Sequence, residues 1–210
     1  MACSLRMASV AATTKVALLP SRTMVPLWLQ LYRDRSRSLD IGVARLLADG
    51  SYDAAFSGDG IVQVAPGFIG DHVTCVVLQA DGKILVGGYS FCVEGNSFAF
   101  IRFMSDGILD PDFGVNGMVT TEFTGGYTLE ATAIALREDG KILLAGGGAS
   151  GSPVVRYLAD GTVDTAFRID GPATCAFGGG NDRANGMAML EDGRILFYGH
   201  SANNEVDPVR

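Results

Sequence analysis

Arginine, aspartate and phenylalanine recur together in this chain at fixed offsets. The sets are Arg45, Asp53 and Phe56, then Arg102, Asp110 and Phe113, then Arg156, Asp164 and Phe167. Such a set can bind an anion, neutralise a buried charge or lay a cation on a ring. A catalytic group is needed once, whereas a group present three times is suited to holding units together. If Asp106-Gly107 is a two-residue turn, Arg102 shares a sheet face with Met104 and Leu109, and a guanidinium beside apolar neighbours needs a carboxylate or carbonyl partner. The arginines are therefore expected to be ion-paired struts between units, in preference to a ring of anion sites. The aspartates are expected to serve as turn or strut residues, and the phenylalanines as core anchors.

Other chemistries are weaker. Asp106, Asp110 and Asp112 lie close together, but the chain lacks both the D-x-D-x-D-G loop and the G-G-x-G-x-D nonapeptide, so a turn cluster is expected rather than a calcium site. Gly146 to Gly151 matches G-x-G-x-x-G after a strand-like run, yet Ser152-Pro153-Val154-Val155-Arg156 leads into another strand and leaves no helix N-terminus for a pyrophosphate. His72 and His200 have no G-x-S-x-G elbow to serve and are expected to be solvated loop residues. Cys3, Cys75, Cys92 and Cys175 form neither CxxC nor zinc-type spacing and are expected to be reduced, although Cys75 and Cys92 could bridge if adjacent strands met there. Nothing singles out a carboxylate pair for glycoside chemistry. No catalytic, metal or cofactor residue is assigned, and the binding residues are left open.

The elements that must position these residues follow from composition and repetition. With 48% hydrophobic and 19% charged residues among 210, the chain can bury a core. Glycine is abundant at 28 residues, with no collagen-like period, which points to many turns. A net charge of −7 argues against nucleic acid or an anionic membrane as partner, and no apolar run is long enough to span a bilayer. Residues 1–39 carry six basic groups and one acid, leaving a net of −12 for residues 40–210. That lead-in is expected to be disordered or degenerate, with a targeting segment as the other reading; Lys15 and Arg22 interrupt any signal-peptide core.

Residues 40–210 repeat. Arg45 to Phe56, Arg102 to Phe113 and Arg156 to Phe167 alternate with Asp81-Gly82-Lys83-Ile84-Leu85, Asp139-Gly140-Lys141-Ile142-Leu143 and Asp192-Gly193-Arg194-Ile195-Leu196. Asp-Gly between β-prone runs signals a hairpin, of type I′ if both central residues take positive φ. A third turn follows each phenylalanine, at Asp59-Gly60, Asn116-Gly117 and Asp170-Gly171. The runs between turns, such as Ala99 to Phe103 and Ala131 to Leu136, are short and β-prone, with no helical period after residue 40. The expectation is an all-β, propeller-like array of about three four-stranded antiparallel units, an incomplete or open propeller.

Asp81 to Gly88 and Arg102 to Gly114 resemble the delta-60 repeat of bacterial proteins, over residues 40 to about 201. Arg168 replaces the glycine of Gly114, Tyr198 and His200 disturb the third strand, and the lead-in offers only a faint echo at Lys15 to Leu19. The resemblance implies a β-propeller-like array with no activity established for the repeat, in a full-length protein that is secreted or at the cell surface; the residues themselves assign no compartment. The function expected is a non-enzymatic scaffold or binding module for a protein or carbohydrate ligand. The alternative is a propeller hydrolase or lyase acting on saccharides or lactones, or a fragment of such a protein. A non-repeating cluster of His, Asp or Glu at one end of a channel would favour the enzyme. Because three units fall short of a ring, edge-to-edge self-association is also expected.

Overall fold

The structure is a computed structural model that describes residues 25–32, 39–64, 71–92, 95–122, 130–148, 152–167, 173–175 and 181–202. These contain thirteen strands and no helix: β1 (Val25–Tyr32), β2 (Leu39–Leu46), β3 (Ile61–Val64), β4 (Asp71–Leu78), β5 (Ile84–Cys92), β6 (Gly95–Phe103), β7 (Met118–Thr121), β8 (Glu130–Leu136), β9 (Ile142–Gly148), β10 (Ser152–Tyr157), β11 (Ala173–Cys175), β12 (Asn181–Met189) and β13 (Ile195–Ala202). All pairings between strands are antiparallel. The chain is all-β, an open propeller-like array.

One unit, β4-β5-β6-β7, is a sheet of its own; β8-β9-β10-β11 has the same order within a six-stranded sheet that the β12-β13 hairpin joins where β12 pairs with the end of β9 (Asp182↔Gly148, Arg183↔Gly147), and a three-stranded unit, β1-β2-β3, stands at the other flank. The count thus differs from three equal units at both flanks. Within the basic lead-in, residues 25–32 form β1, which pairs with β2 over its whole length from Val25↔Leu46 to Tyr32↔Leu39. β1 occupies the position beside β2 that β5 holds beside β6, where Ile84 opposes Phe103. A ring closed by pairing β13 with β2 is therefore blocked, because that edge of β2 is taken.

The Asp-Gly turns differ from the type I′ expectation. Leu47 N–H donates to the Ser51 carbonyl and Gly50 N–H to the Leu47 carbonyl, so the loop has three residues, Ala48 to Gly50. Positive φ falls on the glycine alone, at Gly50, Gly82, Gly107, Gly140, Gly161 and Gly193. The aspartate acts through its side chain, whose Oδ1 accepts the N–H two residues on, as Asp49 does from Ser51 at 2.9 Å and Asp106 from Ile108 at 3.0 Å. Among the described residues only Asn116-Gly117, with φ of 53° and 86°, is a two-residue hairpin turn with both residues positive; Asp170-Gly171 lies outside the described residues.

The extra loop residue shifts the register by one. Leu109 opposes Phe103, and Asp110 N–H donates to the Arg102 carbonyl, so Asp110 rather than Leu109 comes to Arg102. The sheets bury both faces. Ile84 and Val86 of β5 pack with Ile41, Val43 and Phe56 of the first unit, while Leu85 packs with Ile142 and Leu144 of the third. Leu143 and Ala145 in turn meet Ala184, Met187 and Phe197 of the β12-β13 hairpin. A strand apolar on both sides reads as a continuous run, which is why Lys-Ile-Leu-Val and Lys-Ile-Leu-Leu show little alternation.

Candidate functional site

The recurring residues meet at the joints between units. Arg102 is 5% exposed, and its Nε donates to Asp110 Oδ2 at 2.7 Å. Its Cζ lies 4.2 Å from the centroid of the buried Phe113 ring, and its Nη1 donates to the Ala159 carbonyl of the next unit at 2.6 Å. Lys83 adds a second cation to Asp110 at 3.0 Å. Burial alone would push the Asp110 carboxyl up; Lys83, the Asp112 N–H and Arg102 outweigh it and hold the group below its usual range. Arg45 repeats the arrangement with Asp53, Phe56 and the Ser105 carbonyl, and Arg156 with Asp164, Phe167 and Lys141. The strut expectation holds for the two inner joints. With Asp110 occupied by two cations and Asp106 by a turn N–H, the acid cluster is turn and strut chemistry.

A second repeated device sits on β4, β8 and β12. Each carries a β-bulge, between Val73 and Cys75, Ala131 and Ala133, and Ala184 and Gly186. The bulged residues Thr74 and Thr132 donate their hydroxyls to the carbonyls of Ala131 and Ala184 in the following unit. The closing glycine of D-G-K-I-L-x-x-G makes room: a Cβ at Gly88, Gly146 or Gly199 would land on the carbonyl oxygen of His72, Glu130 or Arg183 respectively.

Those three carbonyls mark a row. His72, Glu130 and Arg183 each lie nine residues before an Asp-Gly turn, so they occupy one repeat position with a different side chain in each unit. The structure brings them together with Tyr89, which opposes His72 across β4 and β5. The His72 and Tyr89 rings stack, with centroids 4.8 Å apart and planes at 12°. Arg183 Nη1 donates to Glu130 Oε2 at 2.7 Å, with side chains 42% and 31% exposed. Gly147 stands where the neighbouring units have Tyr89 and His200, and its bare backbone lets Arg183 fold across it; a Cβ there would be 2.6 Å from Arg183 Cγ.

Burial lowers the His72 pKa, against an opposing pull from Glu130, so the imidazole is neutral at neutral pH. Burial raises the Tyr89 pKa, as does Glu130, with Arg183 acting the other way. His72 is a half-buried strand residue and His200 an exposed one on β13, bonded to Asn185 Nδ2 at 3.2 Å; neither is in a loop. Cys75 is a reduced thiol facing Gly87, five residues from Cys92 along β5, so the register rules out that bridge. Gly146 to Gly148 are β9 residues, and the next element is the strand β10, which removes the dinucleotide reading.

A family model described as "Domain of unknown function (DUF5122) beta-propeller" matches residues 79–113 and 137–167. The chain is similar to a β-propeller repeat. Both matched segments start at an Asp-Gly turn and end on the strut phenylalanine, so they cover Lys83, Arg102, Asp110 and Phe113 and their counterparts in the next unit. His72, Glu130 and Arg183 lie outside them, and what the propeller match covers is the joint. No curated protein matches the chain.

Proposed function

We propose that the chain is a non-enzymatic propeller scaffold, built on a repeat of the bacterial delta-60 kind, and that it binds a polyhydroxylated ligand of the saccharide class at the row formed by His72, Tyr89, Glu130 and Arg183. One observation carries this reading. Positions that repeat in type are occupied in joining units, whereas this row differs from unit to unit: His72 stacks on Tyr89, Arg183 pairs with Glu130, and the Glu130 charge acts on both His72 and Tyr89. A stacked ring pair beside a partly exposed carboxylate and guanidinium offers apolar surface, donors and an acceptor together, the mixture that sugar hydroxyls and C–H faces require.

The test is chemical-shift mapping of the full chain with a panel of neutral oligosaccharides. Shifts centred on residues 72, 89, 130 and 183, lost in Glu130→Gln, support the proposal; a panel that moves none of them overturns it. A hydrolase or lyase is the second reading, favoured by a half-buried His72 whose pKa burial lowers and which feels the Glu130 charge. It requires turnover of a saccharide or lactone that Glu130→Gln abolishes. Binding without turnover favours the scaffold.

A further inference from the structure

The sequence holds two Asn-Gly pairs, Asn116-Gly117 and Asn185-Gly186. An asparagine before glycine is open to attack from within, because glycine leaves the next main-chain nitrogen unshielded. The deprotonated nitrogen adds to the asparagine Cγ, ammonia leaves, and water opens the resulting succinimide ring to aspartate or isoaspartate. Water is the only co-reactant. The rate depends on whether that nitrogen can lose its proton and turn onto Cγ.

At Asn116 the hairpin opposes both. Asn116 is exposed, but it is held at φ of 53° and Gly117 at 86°, in a turn that Val115 and Met118 close with reciprocal hydrogen bonds of 2.8 and 3.1 Å. Gly117 N–H donates to the Phe113 carbonyl at 2.8 Å, so the attacking nitrogen is already committed. Gly117 is itself buried, with Leu109 so close that a Cβ would stand 3.0 Å from the Leu109 Cβ.

The acceptor of that bond belongs to the joint with the third unit. Phe113 is fully buried, with Arg102 Cζ 4.2 Å from its ring centroid and Gly161 against the ring, where a Cβ would be 3.0 Å away. Gly114 N–H donates to the Asp160 carbonyl at 2.8 Å, and Arg102 Nη1 to the Ala159 carbonyl at 2.6 Å. While the Ala159 to Gly161 turn is seated, the Phe113 carbonyl is fixed and keeps the Gly117 nitrogen. Asn185-Gly186 has no such link: it lies in the bulge of β12, and the Asn185 carboxamide meets His200 at 3.2 Å.

We infer that Asn116 is a self-modification site, converted through its succinimide to aspartate and isoaspartate, and that the seated joint between the second and third units holds the reaction off. Isoaspartate adds a methylene to the main chain of a two-residue turn whose Gly117 carbonyl accepts the Arg102 N–H at 2.8 Å. Conversion therefore acts back on the strand that carries the strut arginine, and leaves a lasting record that the joint has opened.

Peptide mapping of the full chain after warm incubation at neutral pH tests this, with conversion read at residue 116 as the mass gain of an amide turned acid. The native chain is expected to convert at least about tenfold more slowly than the same chain unfolded in urea. Arg102→Lys keeps a cation for Asp110 but cannot also hold the Ala159 carbonyl, and Arg45→Lys makes the same change at the first joint, with Asp53 and the Ser105 carbonyl. Arg102→Lys is expected to raise the native rate several-fold and Arg45→Lys to leave it unchanged. Asn116→Gly keeps the positive φ, cannot form the ring and should show no conversion at that position. A native rate equal to the unfolded rate, or an Arg102→Lys rate no faster than that of Arg45→Lys, would overturn the inference. Should Arg102→Lys fail to fold, hydrogen exchange of the wild type decides: the Gly114 and Gly117 amides are expected to open together, and a Gly117 amide that exchanges freely while Gly114 stays protected would overturn it.

Discussion

Asp110 is nearly buried and carries two cations from different strands, Arg102 at 2.7 Å and Lys83 at 3.0 Å. Replacing it with Asn keeps the volume and leaves both cations without their counterion, one of them in a buried site. Asp110→Asn is expected to cost about 3 kcal/mol in chemical denaturation, whereas removing the exposed Arg194, paired only within its own turn to Asp192, is expected to cost under about 0.5 kcal/mol. Equal costs would contradict the strut. The pH dependence follows from the same groups. Asp110 and Asp164 are held below 3.8, so their contribution is complete above that value and is lost as pH falls through the lower folded-state values. His72 is depressed from 6.5, so its neutral form stabilises fully above 6.5, and stability declines as pH falls toward its folded-state value. The melting temperature is expected to hold above about pH 6.5 and to sag mildly below it, with a steeper fall below about pH 3.8. His72→Gln should remove the mild sag and leave the steep fall; a sag of unchanged size would assign it elsewhere.

At the scale of elements, the bulges of β4, β8 and β12 depend on the glycines that face them, Gly88, Gly146 and Gly199. A Cβ at Gly146 would collide with the Glu130 carbonyl, which is main chain and cannot swing away. Gly146→Ala is therefore expected to unfold the protein or lower its melting temperature steeply. Gly193→Asn has open space around it and a residue type tolerant of positive φ, and should be nearly silent. Comparable melts for the two variants would mean that the bulge is not required. This contrast also marks what could be read from the residues alone. Arg102, Asp110 and Phe113 were legible because their types recur, and so was the all-β array. The one-residue register shift at Ser105 to Gly107 was not, because two- and three-residue Asp-Gly loops share a sequence and differ in φ. β1 was not legible either, because Val25–Tyr32 has no motif in common with Asp81–Gly88 and is placed by pairing with β2. His72, Glu130 and Arg183 were hidden because repetition reveals sameness, and at this position the side chains differ. Their signal is that difference, visible once the units are aligned on their Asp-Gly turns.

For the whole molecule, units touch mainly their neighbours in sequence, so stability is a sum of unit terms and joint terms, and a break at a central joint separates more structure than a break at a flank. The three arginines differ in how much of the joint they complete. Arg102 has its carboxylate, its ring and the carbonyl of the following unit, and its Asp110 has the added Lys83. Arg45 reaches the Ser105 carbonyl, but the sequence has Met24 at the counterpart of Lys83, and Asp53 receives no lysine among the described residues. Arg156 has Lys141 beside its Asp164, and no carbonyl from a following unit among the described residues. Truncation to alanine is accordingly expected to destabilise in the order Arg102, Arg45, Arg156. Arg102→Ala should also lower the cooperativity of unfolding, as the first two units and the last two come apart separately, and this would appear as a reduced slope against denaturant. Three equal losses with unchanged slopes would mean that the apolar faces alone, Leu85 against Ile142 and Ile84 against Phe56, couple the units, and that the arginines only satisfy their own carboxylates.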